Sequence, residues 1–154
     1  MLDVNARRET NEKWATAALR MFSETLEVDE ITALIDLRPT RFYTKGDPIN
    51  ARGPELLRTN AWLLKSEIAE DQGLDMHLGW LVDLIESKVV ALGTLRETCK
   101  VDLFCGFSST HGQGGTVLDK ELLGRLSALG LDLKIDLYPP GSIPLAEYVL
   151  YIAK

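Results

Sequence analysis

Between Cys99 and Tyr138 the chain reads as strand, helix, strand, and this run limits the fold more than any other part of the sequence. "CKVDLFCGF" sets Cys99, Val101, Leu103 and Cys105 on one side against Lys100, Asp102 and Phe104 on the other, the two-residue period of a strand. "LDLKIDLYPP" repeats the pattern with Leu131, Leu133, Ile135 and Leu137 against Asp132, Lys134, Asp136 and Tyr138, until two prolines stop it. Between them "LDKELLGRLSALG" has Asp119 as N-cap, Leu122, Leu123, Leu126 and Leu129 at helical spacing, and Gly130 just past its end. Strands with one apolar face need cover on that face only. A sheet with helices packed on a single side is therefore predicted.

The remaining elements extend this plan. "WATAALRMF" (14–22) alternates Ala15, Ala17, Leu19 and Met21 with Thr16, Ala18 and Arg20, which predicts a first strand although alanine is a poor strand former. "EVDEITALIDLRPT" carries Val28, Ile31, Leu34 and Ile35 at helical spacing, a short helix ended by Pro39. "RFYTKGDPIN" is a strand running into a Gly-Asp-Pro turn, "ARGPELLRTN" is irregular, and "AWLLKSE" is another strand. A second helix follows, with Asp75 as its expected N-cap, Leu74, Leu78, Leu81, Val82 and Ile85 as its apolar face, and His77 partly exposed at its start. "SKVVALGTLRE" continues as helix beyond a break near Ser87. The order β-α-β-β-α-β followed by α-β matches an α+β, ferredoxin-like sheet extended by one more α-β unit. One domain spanning 1–154 is expected, with 1–13 as an extension and 139–154 as a tail docking on the body.

Charge and composition remove whole classes of function. No stretch approaches the roughly 20 apolar residues of a membrane span, and the start "MLDVNARRETNEKW" lacks the apolar run of a secretory signal. A cytoplasmic protein is expected. A net charge of −6 argues against nucleic acid, whose affinity comes largely from basic groups displacing counterions. The distribution is uneven: Arg38, Arg41, Lys45, Arg52 and Arg58 against Asp47 and Glu55 make residues 38–58 locally +3 and leave −9 for the rest.

No complete catalytic motif is present. "HGQGGT" lacks the terminal lysine of a P-loop, and Gly112 and Gly114 are followed by Val117 where a dinucleotide fingerprint needs glycine. Asp119, as N-cap, also occupies the helix donors a phosphate would use. Cys105 and His111 could form a nucleophile–base pair, but Cys105 belongs to the inward set, where a thiol behaves as a small hydrophobe. Cys99 and Cys105 are too far apart along a strand to bridge each other and are expected reduced. His77 and His111 are distant in sequence and form no zinc spacing, so no metal or cofactor is expected.

Several stretches in order, "LEVDEITALIDLRPT", the "KGD" at 45–47, "AWLLKSE", "HLGWLVDLI" and "LDKELLGRLSALGLDLKIDLY", resemble the mostly bacterial family catalogued as domain of unknown function 4279. The resemblance covers roughly residues 14–138 and implies a small protein with no catalytic residues to carry over.

Three readings of function follow from the residues. The first is a non-catalytic protein-interaction module using Arg41, Lys45, Arg52 and Arg58 to meet an acidic protein partner; by analogy it could be a toxin-neutralising immunity-type protein. The second is a small metal-assisted or acid/base hydrolase using Asp102 and Asp136, with Tyr138 as proton donor, on an open sheet face. The third is a small-ligand binder on that face. Trp62 and Trp80 are expected in the core and Trp14 as a partly exposed interface anchor. A homodimer stays open.

Overall fold

The computed structural model describes residues 13–109 and 114–138. The expectations for residues 1–12, for His111 and for the 139–154 tail fall outside them. Along the chain run β1 (Lys13–Ser23), α1 (Val28–Ile35), β2 (Arg41–Tyr43), β3 (Asn60–Lys65), α2 (Leu74–Ile85), a 3-10 turn at Glu86–Lys88, α3 (Val89–Leu95), β4 (Lys100–Ser109), α4 (Lys120–Ala128) and β5 (Asp132–Tyr138). The class is α+β, with a mixed five-stranded sheet in the order β2-β3-β1-β4-β5. β1 is antiparallel to both β3 and β4, β2 is antiparallel to β3, and β4 and β5 are parallel. That parallel pair requires a crossover, and α4 supplies it. Among the described residues no helix is long and apolar enough to cross a membrane.

The main core lies between the sheet and the helices. Ala15, Ala17, Leu19 and Met21 of β1, Trp62 and Leu64 of β3, and Val101, Leu103 and Cys105 of β4 meet Ile31, Leu78, Leu81, Leu92 and Leu126 from the helices. The alanines of β1 follow from this packing. Ala15 and Ala17 are fully buried in the core that α2 shares with β1, and small side chains there admit a close helix, so tertiary packing overrides strand propensity. Asp119 caps α4 as expected, accepting from the Leu122 N–H at 2.8 Å, and Gly130 takes the left-handed φ of +67° that ends that helix.

Several local expectations are corrected. α1 ends at Asp36, which adopts φ 55° itself, three residues before Pro39. The N-cap of α2 is Gly73, and Asp75 lies inside the first turn. His77 is fully buried, because its position one turn into α2 faces the sheet between Leu74 and Leu78. The stretch between β2 and β3 is irregular, as expected, and is held by backbone hydrogen bonds: the Gly46 N–H donates to Leu57 O, Leu57 N–H to Asp47 O and Ile49 N–H to Glu55 O. Gly46 sits at φ +92°, where a side chain would be strained.

Candidate functional site

The face of the sheet away from the helices is buried at its centre. Arg20 on β1 is 0% exposed and Asp102 on β4 is 2% exposed. The register sets them directly opposite each other. Arg20 Nε donates to Asp102 Oδ1 at 2.7 Å and its terminal nitrogen to Oδ2 at 2.8 Å, and Lys134 Nζ reaches Oδ2 at 2.8 Å. The guanidinium also lies against the rings of Phe104 and Phe22, 4.3 and 5.2 Å from their centroids. Burial pushes the Asp102 carboxyl up, but the hydrogen bonds and charges of Arg20 and Lys134 outweigh it and hold the group below the ordinary range. This carboxylate is committed to two cations.

Asp136 lies elsewhere on the same face. Asp102 pairs with Asp132 across β4 and β5, while Asp136 pairs with Gly106, an offset of four residues or about 13 Å along the strand. The two carboxylates proposed as an acid–base pair are therefore not brought together. Tyr138 sits one row beyond Asp136, with its ring edge-on to Trp14 at 5.7 Å between centroids. Trp14, expected partly exposed, is half-buried and packs within the sheet face. Gly106 makes room for it, since a Cβ at that position would lie 2.8 Å from the Trp14 ring and 3.1 Å from Tyr138. Thr16 Oγ1 and Asp136 Oδ2, on either side of Gly106, are buried without a hydrogen-bond partner.

The cysteines and His77 belong to the interior. Cys99 and Cys105 are free and buried, and desolvation pushes the Cys105 thiol up to about 12, which removes the thiolate a nucleophile needs. His77 Nδ1 is 3.1 Å from Ser66 Oγ. That hydroxyl also accepts from the Ile68 N–H, so the pair ties the chain after β3 to α2. Burial holds the His77 pKa below its ordinary value. Sequence reasoning missed this pair because Ser66 and His77 meet only once β3 and α2 have packed.

The basic segment forms the β2 end of the sheet. Arg38, Arg41, Lys45, Arg52 and Arg58 are all exposed, and none takes part in an ion pair among the described residues. Elsewhere Arg20, Lys65, Lys88, Arg125 and Lys134 each do, and the exposed Arg96 and Lys120 do not. The Lys45 N–H donates to Asn60 Oδ1 and the Arg52 N–H to Asn50 Oδ1, so local hydrogen bonds fix the backbone that carries these charges. Phe42 and Leu56, at 59% and 56% exposed, lie in the same segment. Two of the cations make local contacts, Arg41 with the Tyr43 hydroxyl and Lys45 Nζ with the Glu24 carbonyl, and the segment as a whole presents positive charge and apolar surface to solvent.

No curated protein and no solved structure matches this chain. Residues 12–140 match the family described as "Domain of unknown function (DUF4279)", and the chain belongs to that family.

Proposed function

We propose that this protein is a non-catalytic interaction module that binds an acidic protein partner through the β2 end of its sheet. One observation carries the reading: five exposed cations fall within residues 38–58 without an ion pair among the described residues, a concentration of unpaired positive charge that the rest of this acidic chain, with only Arg96 and Lys120 in the same state among its described residues, does not repeat. Such a patch guides encounter with opposite charge and rejects basic partners. Neutralisation of a toxin is one role such a module can take, and the patch narrows it to a toxin that presents acidic groups. The architecture we infer is a ferredoxin-like core of β1-α1-β2-β3-α2-β4, departing from the simple plan by the fifth strand. The order β2-β3-β1-β4 with antiparallel neighbours supports it.

Affinity capture with the intact chain tests the interaction reading. The Arg41→Glu/Arg52→Glu/Arg58→Glu variant is expected to lose partners that the wild-type chain retains at low salt and releases as ionic strength rises. An unchanged partner set would sink the proposal. A small-ligand reading has one observation behind it, the unpartnered Thr16 Oγ1 and Asp136 Oδ2 flanking Gly106. It calls for a ligand screen by thermal shift in which Asp136→Asn abolishes any hit; hits that persist in the variant would remove this reading.

A further inference from the structure

Resting on the interaction reading above, we infer that the acidic partner enters as an extended strand that adds to the free edge of β2. Among the described residues β2 ends the sheet, pairing only with β3 through Arg41↔Leu63, Phe42↔Trp62 and Tyr43↔Ala61. The paired edge reaches back to Thr40, whose N–H donates to Leu63 O at 2.8 Å. The two faces of this edge differ in chemistry. Arg41 and Tyr43 share the face of Leu63 and Ala61, away from the helices, and Phe42 shares the helix face with Trp62. α1 covers Trp62, whose Nε1 donates to Thr32 Oγ1 at 3.0 Å, and leaves most of the Phe42 ring in solvent.

A strand laid along β2 therefore meets a cation on one face and an aromatic ring on the other. Its side chains alternate between those faces with period two. The matching segment alternates acidic and apolar residues: acids opposite Arg41, an apolar residue beside Phe42, and main-chain hydrogen bonds supplying affinity along the edge. Charge also decides which strand is accepted. Pairing of two copies through β2 would bring together two ends that each carry five cations without an ion pair among the described residues, and that repulsion closes the edge to self-association while leaving it open to an acidic strand.

Fluorescence anisotropy with the full chain and two probes tests this. One probe is a short labelled peptide alternating glutamate and valine; the other has the same sequence with alternate backbone amides N-methylated, so that charge is kept and one row of strand hydrogen bonds is lost. The expected result is binding of the first peptide, at least about tenfold weaker binding of the second, and slowed hydrogen exchange at Phe42 in the first complex. Equal binding of both peptides, lost in Arg41→Glu/Arg52→Glu/Arg58→Glu, overturns strand addition and leaves acid recognition standing. Binding of neither overturns both.

Discussion

Arg20 and Arg41 lie in the same row of the same sheet face, one on each side of Leu63, yet they have opposite fates. Arg20, in the central strand, is fully buried with its charge held by Asp102 and its guanidinium against two phenylalanine rings. Arg41, about 10 Å away across two strand spacings, is exposed and has no ion pair among the described residues. At the centre of a sheet a cation is tolerated only with a carboxylate opposite it. At the edge the same side chain stays solvated and is available to a partner. The buried network serves the fold; on the interaction reading proposed above, the edge serves recognition.

The largest expected effect tests the buried side. Asp102→Ala leaves Arg20 buried without its counter-charge and should cost about 3–5 kcal/mol in urea denaturation. The double change Arg20→Met/Asp102→Leu removes both charges and should recover most of that loss. A cost below about 1 kcal/mol for the single variant, the level of an exposed pair, would place Arg20 with Arg41 and break the contrast. Gly106→Ala comes next. It sets a methyl group against the Trp14 ring, and overpacking of this kind should cost about 1–3 kcal/mol, with a change in tryptophan fluorescence. An unchanged spectrum and stability would mean that Trp14 does not lie over Gly106.

Acid sharpens the comparison further, because two buried groups respond in separate windows. His77 has a folded pKa below its ordinary 6.5, so the unfolded chain takes up its proton first. Its contribution is complete above about pH 6.5 and declines as pH falls through the folded value. Asp102 is depressed below 3.8, so its contribution is complete above that value and is lost as pH falls further. Stability measured from pH 7 downward should therefore decline in two steps. His77→Gln should flatten the upper one and leave the lower; an unchanged upper step would assign that decline to another group.

What was legible in the sequence was what local spacing can express. Alternation over a few residues marked β1, β3, β4 and β5, and Asp119 with Gly130 bounded α4, because strand period and helix caps act within one or two turns of chain. The contact of Arg20 with Asp102 spans 82 residues and depends on antiparallel register between β1 and β4, which neither strand encodes alone. A signal was present nonetheless: each charge interrupts a run that is otherwise apolar, "AALRMF" and "VDLFC". A charge at the middle of a central strand calls for an opposite charge beside it. Whether that face is open or covered is not readable from either strand; in the fold its centre, Arg20 with Asp102, is buried. The basic end was legible as composition; that its cations are all without ion pairs follows only from the folded arrangement.

The smallest expected effect on stability belongs to the edge. Arg41→Glu/Arg52→Glu/Arg58→Glu should leave unfolding within about 0.5 kcal/mol of wild type per substitution, as for other exposed positions. Set beside binding, this variant gives the most direct test of the central claim, that the charges of the β2 end serve a partner and not the fold. Titrating the labelled glutamate–valine peptide into both proteins at one salt concentration should show affinity falling at least about tenfold in the variant while its melting temperature holds. Equal affinity in the two proteins, or a variant that unfolds as readily as Asp102→Ala, would contradict the account.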